Sequence, residues 1–255
     1  MAKRPWIGTS WKMNKTRAEA EAFAWALAAS PVASTRKALP FVIPPFTAIA
    51  DVADILSGTA VRVGAQNMHW ADAGAWTGEI SPPMIKDVGA TMVELGHSER
   101  RTHFGETDET VALKVKAALA HGLIALVCVG DTRAEYEAGG TAAALARQVE
   151  AIFSATKPEE LSRVVIAYEP VWSIGEGGVP ADPGFADAQQ ALIKKQAVAR
   201  YGTPVEVVYG GSVNPGNCRE LVAQPNIDGL FIGRSAWDVK GYIGIVDSVI
   251  EALAA

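Results

Sequence analysis

The sequence predicts a single (β/α)8 barrel spanning residues 1–255, and three observations carry that prediction. Eight short apolar runs recur along the chain, amphipathic Ala-rich stretches lie between most of them, and no linker, low-complexity tract or charge block interrupts the alternation. Eight βα units in 255 residues match the size at which such barrels close, about 250 residues. A doubly wound open sheet is the competing arrangement of the same alternation.

The runs are, in order, "PWIGTSW", "PFVIPP", "VRVGAQN", "TMVELG", "LIALVCVG", "RVVIAYEP", "VEVVYGG" and "GLFIG". They are continuously apolar rather than alternating, as strands buried on both faces of a parallel sheet must be. Between them, "RAEAEAFAWALAA", "DETVALKVKAALAHG" and "GFADAQQALIKKQAVARYG" carry helical periodicity. Asp108 stands in the first turn of the second of these, and Gly122 is placed to stop it.

Composition narrows the function classes. A net charge of −5 argues against a nucleic-acid surface, which needs a basic patch. Cys128 and Cys218 sit in no metal-ligand or disulfide-like spacing, so reduced thiols are expected. No apolar run approaches the length of a membrane span, and "MAKRPWIGTS" lacks a secretory h-region. A soluble cytoplasmic protein is expected.

Barrels of this kind build their sites from the loops after each strand, so polar residues at strand ends are the candidates. Lys12 is expected to end the first strand. Alone it would be a lysine snorkelling to water, but in a concave site it is a fixed cation for an anionic substrate. "VELGHSERR" sets His97 and Glu99 just past the fourth strand, where helix-end N–H groups can hold the imidazole neutral. "AYEPVW" ends the sixth strand with Glu169, placed at the barrel mouth in partly apolar surroundings that suit a general base. The Gly- and Pro-rich "SIGEGGVPADPG" that follows has the composition of a lid. "YGGSVNPGN" and "FIGRSAW" end strands seven and eight with glycines that let backbone N–H groups approach an anion, and Ser212 adds a hydroxyl. A cation, a neutral imidazole, a carboxylate base and a phosphate cradle are the parts of enediol chemistry beside a carbonyl. With no metal cluster or dinucleotide fingerprint in the sequence, no cofactor and no metal are expected.

"SWKMN", "AQN", "TGEISPPMIKDVGATMVELGHSERR", "AYEPVW", "YGGSV" and "DGLFIG" resemble the triosephosphate isomerase family, in order and across essentially the whole chain. For that family a glutamate base and a neutral histidine electrophile are the established assignment. The resemblance therefore implies Glu169 as base, His97 as electrophile, Lys12 as electrostatic clamp and Glu99 in the same cluster. It implies a phosphorylated small sugar held by Gly175, Ser212 and Gly233. It also implies a homodimer through the loop Trp76-Thr77-Gly78-Glu79, with Thr77 reaching the partner's site.

The chain departs from that pattern at Ser10, where the family reads asparagine, at Arg234, where it reads glycine, at Asp131, where it reads glutamate, and in the lid. Arg234 adjoins the phosphate positions and is counted with them as a substrate-binding candidate. Ser10 removes side-chain bulk from the place that sets substrate size and keeps a hydroxyl. The resulting expectation is a substrate with one extra hydroxymethyl group. The full pattern looks most like the branch of the family that interconverts L-erythrulose 1-phosphate and D-erythrulose 4-phosphate in bacterial erythritol breakdown. The alternative is the triose phosphate reaction of glycolysis and gluconeogenesis. A barrel that binds a sugar phosphate without acting on it is a remoter one, because fold alone does not imply activity.

Overall fold

The structure, a computed structural model, describes residues 3–175 and 178–254. Its strands are β1 (Trp6–Ser10), β2 (Leu39–Ile43), β3 (Arg62–Ala65), β4 (Met92–Leu95), β5 (Ile124–Val129), β6 (Val164–Tyr168), β7 (Glu206–Tyr209) and β8 (Gly229–Ile232). Each falls in one of the eight apolar runs, except that β2 begins one residue before its run. All neighbours are parallel, and β1 pairs with β8 as well as β2, so the sheet closes in sequence order. That closure excludes the open sheet.

The continuous apolarity has a two-sided cause. In β6, Val165 and Ala167 point into the barrel and pack with Phe41, Met92, Leu126 and Phe231. Val164, Ile166 and Tyr168 point outward into the layer shared with the helices. Burying both faces removes the polar alternation that a one-sided sheet would show.

The helices are α1 (Arg17–Ala28), α2 (Ile49–Ile55), α3 (Pro82–Asp87), α4 (Ser98–Phe104), α5 (Asp108–Ala120), α6 (Arg133–Glu137), α7 (Thr141–Ser154), α8 (Pro183–Tyr201), α9 (Cys218–Val222) and α10 (Val239–Ala252). The three expected long helices correspond to α1, α5 and α8. Thr107 caps α5 in a reciprocal pair with Thr110, Asp108 is its first residue, and Gly122 follows its end at φ +75°. In α8, Asp182 accepts from the N–H of Phe185 and Pro183 opens the first turn, while left-handed Gly202 closes the helix.

One placement differs from expectation. Lys12 does not end the first strand: β1 stops at Ser10, and Lys12 lies two residues beyond it with φ +51°. The Lys12 carbonyl accepts from Gln66 Nε2 at 2.9 Å, which holds this sparsely populated conformation in place.

Candidate active site

The loops after the strands enclose a cavity of about 210 Å³ at the C-terminal mouth of the barrel. Ser10, Lys12, His97 and Glu169 line one part of it. Gly175, Ser212, Gly233 and Arg234 line the rest. Glu99 stands just outside, beside a second cavity of about 230 Å³ that shares Ser10, Lys12 and His97 with the first. Residues far apart in sequence are thus brought together because every strand delivers its following loop to the same rim.

His97 precedes α4 and caps it. Its Nδ1 accepts the backbone N–H of Glu99 at 3.1 Å. An acceptor at Nδ1 puts the proton of a neutral ring on Nε2, and Nε2 faces Glu169 Oε1 at 3.4 Å. The ring is therefore aimed as a donor into the cavity.

Glu169 is 2% exposed and follows β6 immediately. Its backbone N–H donates to the Val129 carbonyl at 2.7 Å, and Oε2 accepts from the Ser98 N–H at 3.4 Å. Glycines make this seat. A Cβ at Gly130 would fall 1.8 Å from the Glu169 carbonyl oxygen, and one at Gly210 would fall 2.9 Å from Glu169 Cγ. Neither position tolerates a side chain unless the glutamate moves.

The Lys12 ammonium meets Glu99 Oε1 at 2.6 Å. Burial tends to raise the Glu99 carboxyl, but the hydrogen bond and charge of Lys12 outweigh it and leave the carboxyl below its ordinary range.

In the loop after β7, Ser212 donates its N–H to Ser173 Oγ at 3.2 Å, and its carbonyl accepts from Asn217 Nδ2 at 2.8 Å. Gly175 has φ +85°. Arg234 opens the short turn after β8 and forms no ion pair among the described residues. The expected lid segment includes residues 176 and 177, which lie outside the described residues.

Two residues acquire contacts that sequence reading did not give them. Asp131, fully buried, accepts from Thr141 Oγ1 at 2.7 Å, Tyr168 OH at 3.1 Å and Trp172 Nε1 at 3.2 Å. It fastens the turn that follows Glu169 to the end of β5.

The other is Glu94, which sequence reading missed. It points from β4 into the barrel, is 2% exposed, and accepts from Ser10 Oγ at 2.8 Å. The signal was present as the one charged residue inside the apolar run "TMVEL". The space beside Ser10 is consequently bounded by a carboxyl group as well as a hydroxyl. Burial pushes the Glu94 carboxyl up to about 7, with the neighbouring charge of Glu169 adding to the rise and His97, Ser10 and Lys12 opposing it.

Glu94, Cys128 and Glu169 bring three potential metal-ligand atoms within 4.8 Å of one another. Burial raises the Cys128 thiol well above its ordinary range, with Glu169 and Glu94 adding to the rise. A protonated thiol beside a carboxyl that titrates near 7 is a poor cation ligand at neutral pH.

A closed parallel barrel with a carboxylate, an imidazole and an ammonium converging beside a glycine-lined anion cradle defines a site for acid–base chemistry on a small phosphorylated molecule. The family model for triosephosphate isomerase matches residues 5–249, and the chain belongs to the triosephosphate isomerase family. Among curated relatives, it is 59% identical over 249 residues to an L-erythrulose-1-phosphate isomerase of Mesorhizobium japonicum, covering 97% of this chain and 98% of that one. It is 59% identical over 242 residues to one from Brucella abortus biovar 1, covering 94% of each chain. Against one from Rhizobium meliloti it is 57% identical over 249 residues, covering 97% of this chain and 98% of that one.

Proposed function

We propose that the protein interconverts L-erythrulose 1-phosphate and D-erythrulose 4-phosphate through an enediolate. The observation that carries this reading is the Glu169 carboxylate facing His97 Nε2 at 3.4 Å in a cavity completed by Lys12 and the loops after β7 and β8. The names of the relatives point to the same substrate.

In this mechanism the phosphate sits against Gly175, Ser212 and Gly233, with Arg234 as an added cation. Glu169 removes the proton from C3 of the ketose, and the electron pair forms the C2–C3 double bond of the enediolate. The charge developing on O2 is met by the Lys12 ammonium and the His97 Nε2–H. His97 carries a proton from O3 to O2, and Glu169 returns its proton to C2, which leaves the carbonyl at C3. No atom is gained or lost, so these residues suffice without a cofactor. Glu99 holds the Lys12 ammonium in position.

The chain acts as one domain, in the cytoplasm, as a homodimer. Exposed apolar side chains flank the second cavity: Met13 is 97% exposed, Phe104 67% and Phe46 39%. This hollow suits the partner's projecting Trp76-Thr77-Gly78-Glu79 loop, which would close it from outside.

The alternative, interconversion of dihydroxyacetone phosphate and glyceraldehyde 3-phosphate, uses the same base, electrophile and clamp, and the matching family model is named for it. One assay decides. If kcat/KM for L-erythrulose 1-phosphate exceeds that for glyceraldehyde 3-phosphate, the reading stands. Efficient triose turnover with none on the tetrulose replaces it with the alternative. Turnover of neither, with binding retained, identifies a binding protein.

A further inference from the structure

Glu94 is unexplained by the fold and unused by the mechanism above. It faces a barrel interior otherwise built from side chains such as Met92, Leu126, Val165 and Phe231. Among the described residues its carboxyl forms no ion pair, and the hydrogen bond from Ser10 is the single one its side chain makes. A carboxyl group buried with so little compensation is costly, and an apolar side chain of similar volume would serve packing better. Something other than stability accounts for it.

Its position supplies the reason. Glu94 Oε2 is occupied by Ser10, whereas Oε1 has no partner among the described residues and Glu94 lines the second cavity, next to the Ser10, Lys12 and His97 wall. Its carboxyl lies within 4.8 Å of a Glu169 oxygen. A ketose phosphate anchored at Ser212 and Gly233 presents its carbonyl to Lys12 and His97 and its reacting carbon to Glu169. The next carbon must extend away from the phosphate, and on that side of Glu169 stand Ser10 and Glu94.

Resting on the tetrulose reading, we propose that Ser10 and Glu94 together bind the terminal hydroxyl of the four-carbon substrate, and that Glu94 is a specificity-determining residue of the site. The chemistry is complementary. A hydroxyl both donates and accepts, and the pair offers a carboxyl oxygen and the free lone pairs of a serine hydroxyl. A triose phosphate brings no group for them and leaves the buried pair unsatisfied. Sites built to bond a hydroxyl reject the analogue lacking it far more strongly than sites that only measure size.

The test uses the full-length protein with L-erythrulose 1-phosphate, its 4-deoxy analogue and dihydroxyacetone phosphate. The analogue keeps the fourth carbon and loses only the hydroxyl, so it separates recognition from size. Wild type should prefer the true substrate over the analogue by about 100-fold in kcat/KM. Glu94→Leu should reduce that preference to less than about 5-fold and lower the tetrulose-to-triose ratio by a similar factor. Ser10→Ala, a smaller perturbation, should reduce the preference by about 10-fold and keeps the question answerable if Glu94→Leu does not fold. A preference unchanged in both variants overturns the inference while the substrate reading survives. Equal losses on all three substrates overturn it too, because they mark a structural role. Wild type inactive on the tetrulose overturns the substrate reading itself, and that result precedes any variant.

Discussion

Ser10 shows how one side chain acquires meaning from its neighbour. By sequence it is a serine where more bulk was expected, and the inference is about volume and a retained hydroxyl with no named partner. In the structure its hydroxyl donates to Glu94 and its carbonyl accepts from Trp237 Nε1 at 2.9 Å, so the backbone is fixed while the side chain faces the site. Ser10→Asn restores the bulk at the point where the fourth carbon would lie. We expect kcat/KM for L-erythrulose 1-phosphate to fall by about 10- to 100-fold, the range for a few lost or crowded contacts. Triose turnover should rise at the same time. Steady-state kinetics on both substrates decide it, and parallel losses would mean that the serine supports the site without sizing it. Lys12 invites a second test, since its ammonium meets Glu99 at 2.6 Å. Lys12→Met removes the charge proposed to face the developing oxyanion, and kcat should drop by about 100-fold or more. A variant with near-normal kcat and weakened KM would confine the lysine to substrate attraction.

Elements, more than single residues, explain what the sequence made legible. The strands could be read because a barrel buries both their faces, and runs such as "VVIAY" need a sheet covered on both sides. The rim residues could be read for a related reason: Lys12, His97, Glu169 and Ser212 are polar interruptions at strand ends, where the fold puts chemistry. Glu94 escaped because it interrupts a strand rather than ends one, and its meaning depends on β1 and β4 facing each other across the barrel. The contacts of Asp131 escaped because its three side-chain donors come from α7, β6 and the turn beyond, which no local pattern links. The buried Glu106–Lys114 pair escaped likewise. Lys114 of α5 reaches Glu106 and also Asn67 Oδ1 at 2.8 Å, while Arg100 Nε meets Glu106 at 2.7 Å. These contacts tie α4, α5 and the loop after β3 together beside the second cavity. Lys114→Met should cost about 3–5 kcal/mol in urea-induced unfolding, because it strips its main partner from a buried carboxylate. A loss below about 1 kcal/mol would show that Arg100 alone satisfies Glu106.

At the scale of the whole molecule, the same groups set opposite dependences of stability on pH. Hydrogen bonds from Lys114 and Arg100 overcome the effect of burial at Glu106 and hold its carboxyl below the ordinary range, so its contribution is present above about pH 4.5 and is lost on acidification. Glu94 runs the other way. Its carboxyl is held near 7 against an ordinary value of 4.5, so the folded protein retains a proton that the unfolded chain releases. Between those two values stability must fall as pH rises, by about 3 kcal/mol once Glu94 is ionised. The groups around it include His97, Lys12 and Glu169, with Cys128 also close; Glu169 adds to the cost, and His97 and Lys12 reduce it. Glu94→Gln keeps the shape and has no proton to lose. Its Tm should therefore match wild type closely near pH 5 and exceed it by several degrees at pH 8, measured at one protein concentration. Parallel Tm curves across that range would mean that Glu94 sits in surroundings as polar as water. A widening gap would show that the fold carries a destabilising carboxyl at neutral pH, and an active site is where such a cost is ordinarily met by function.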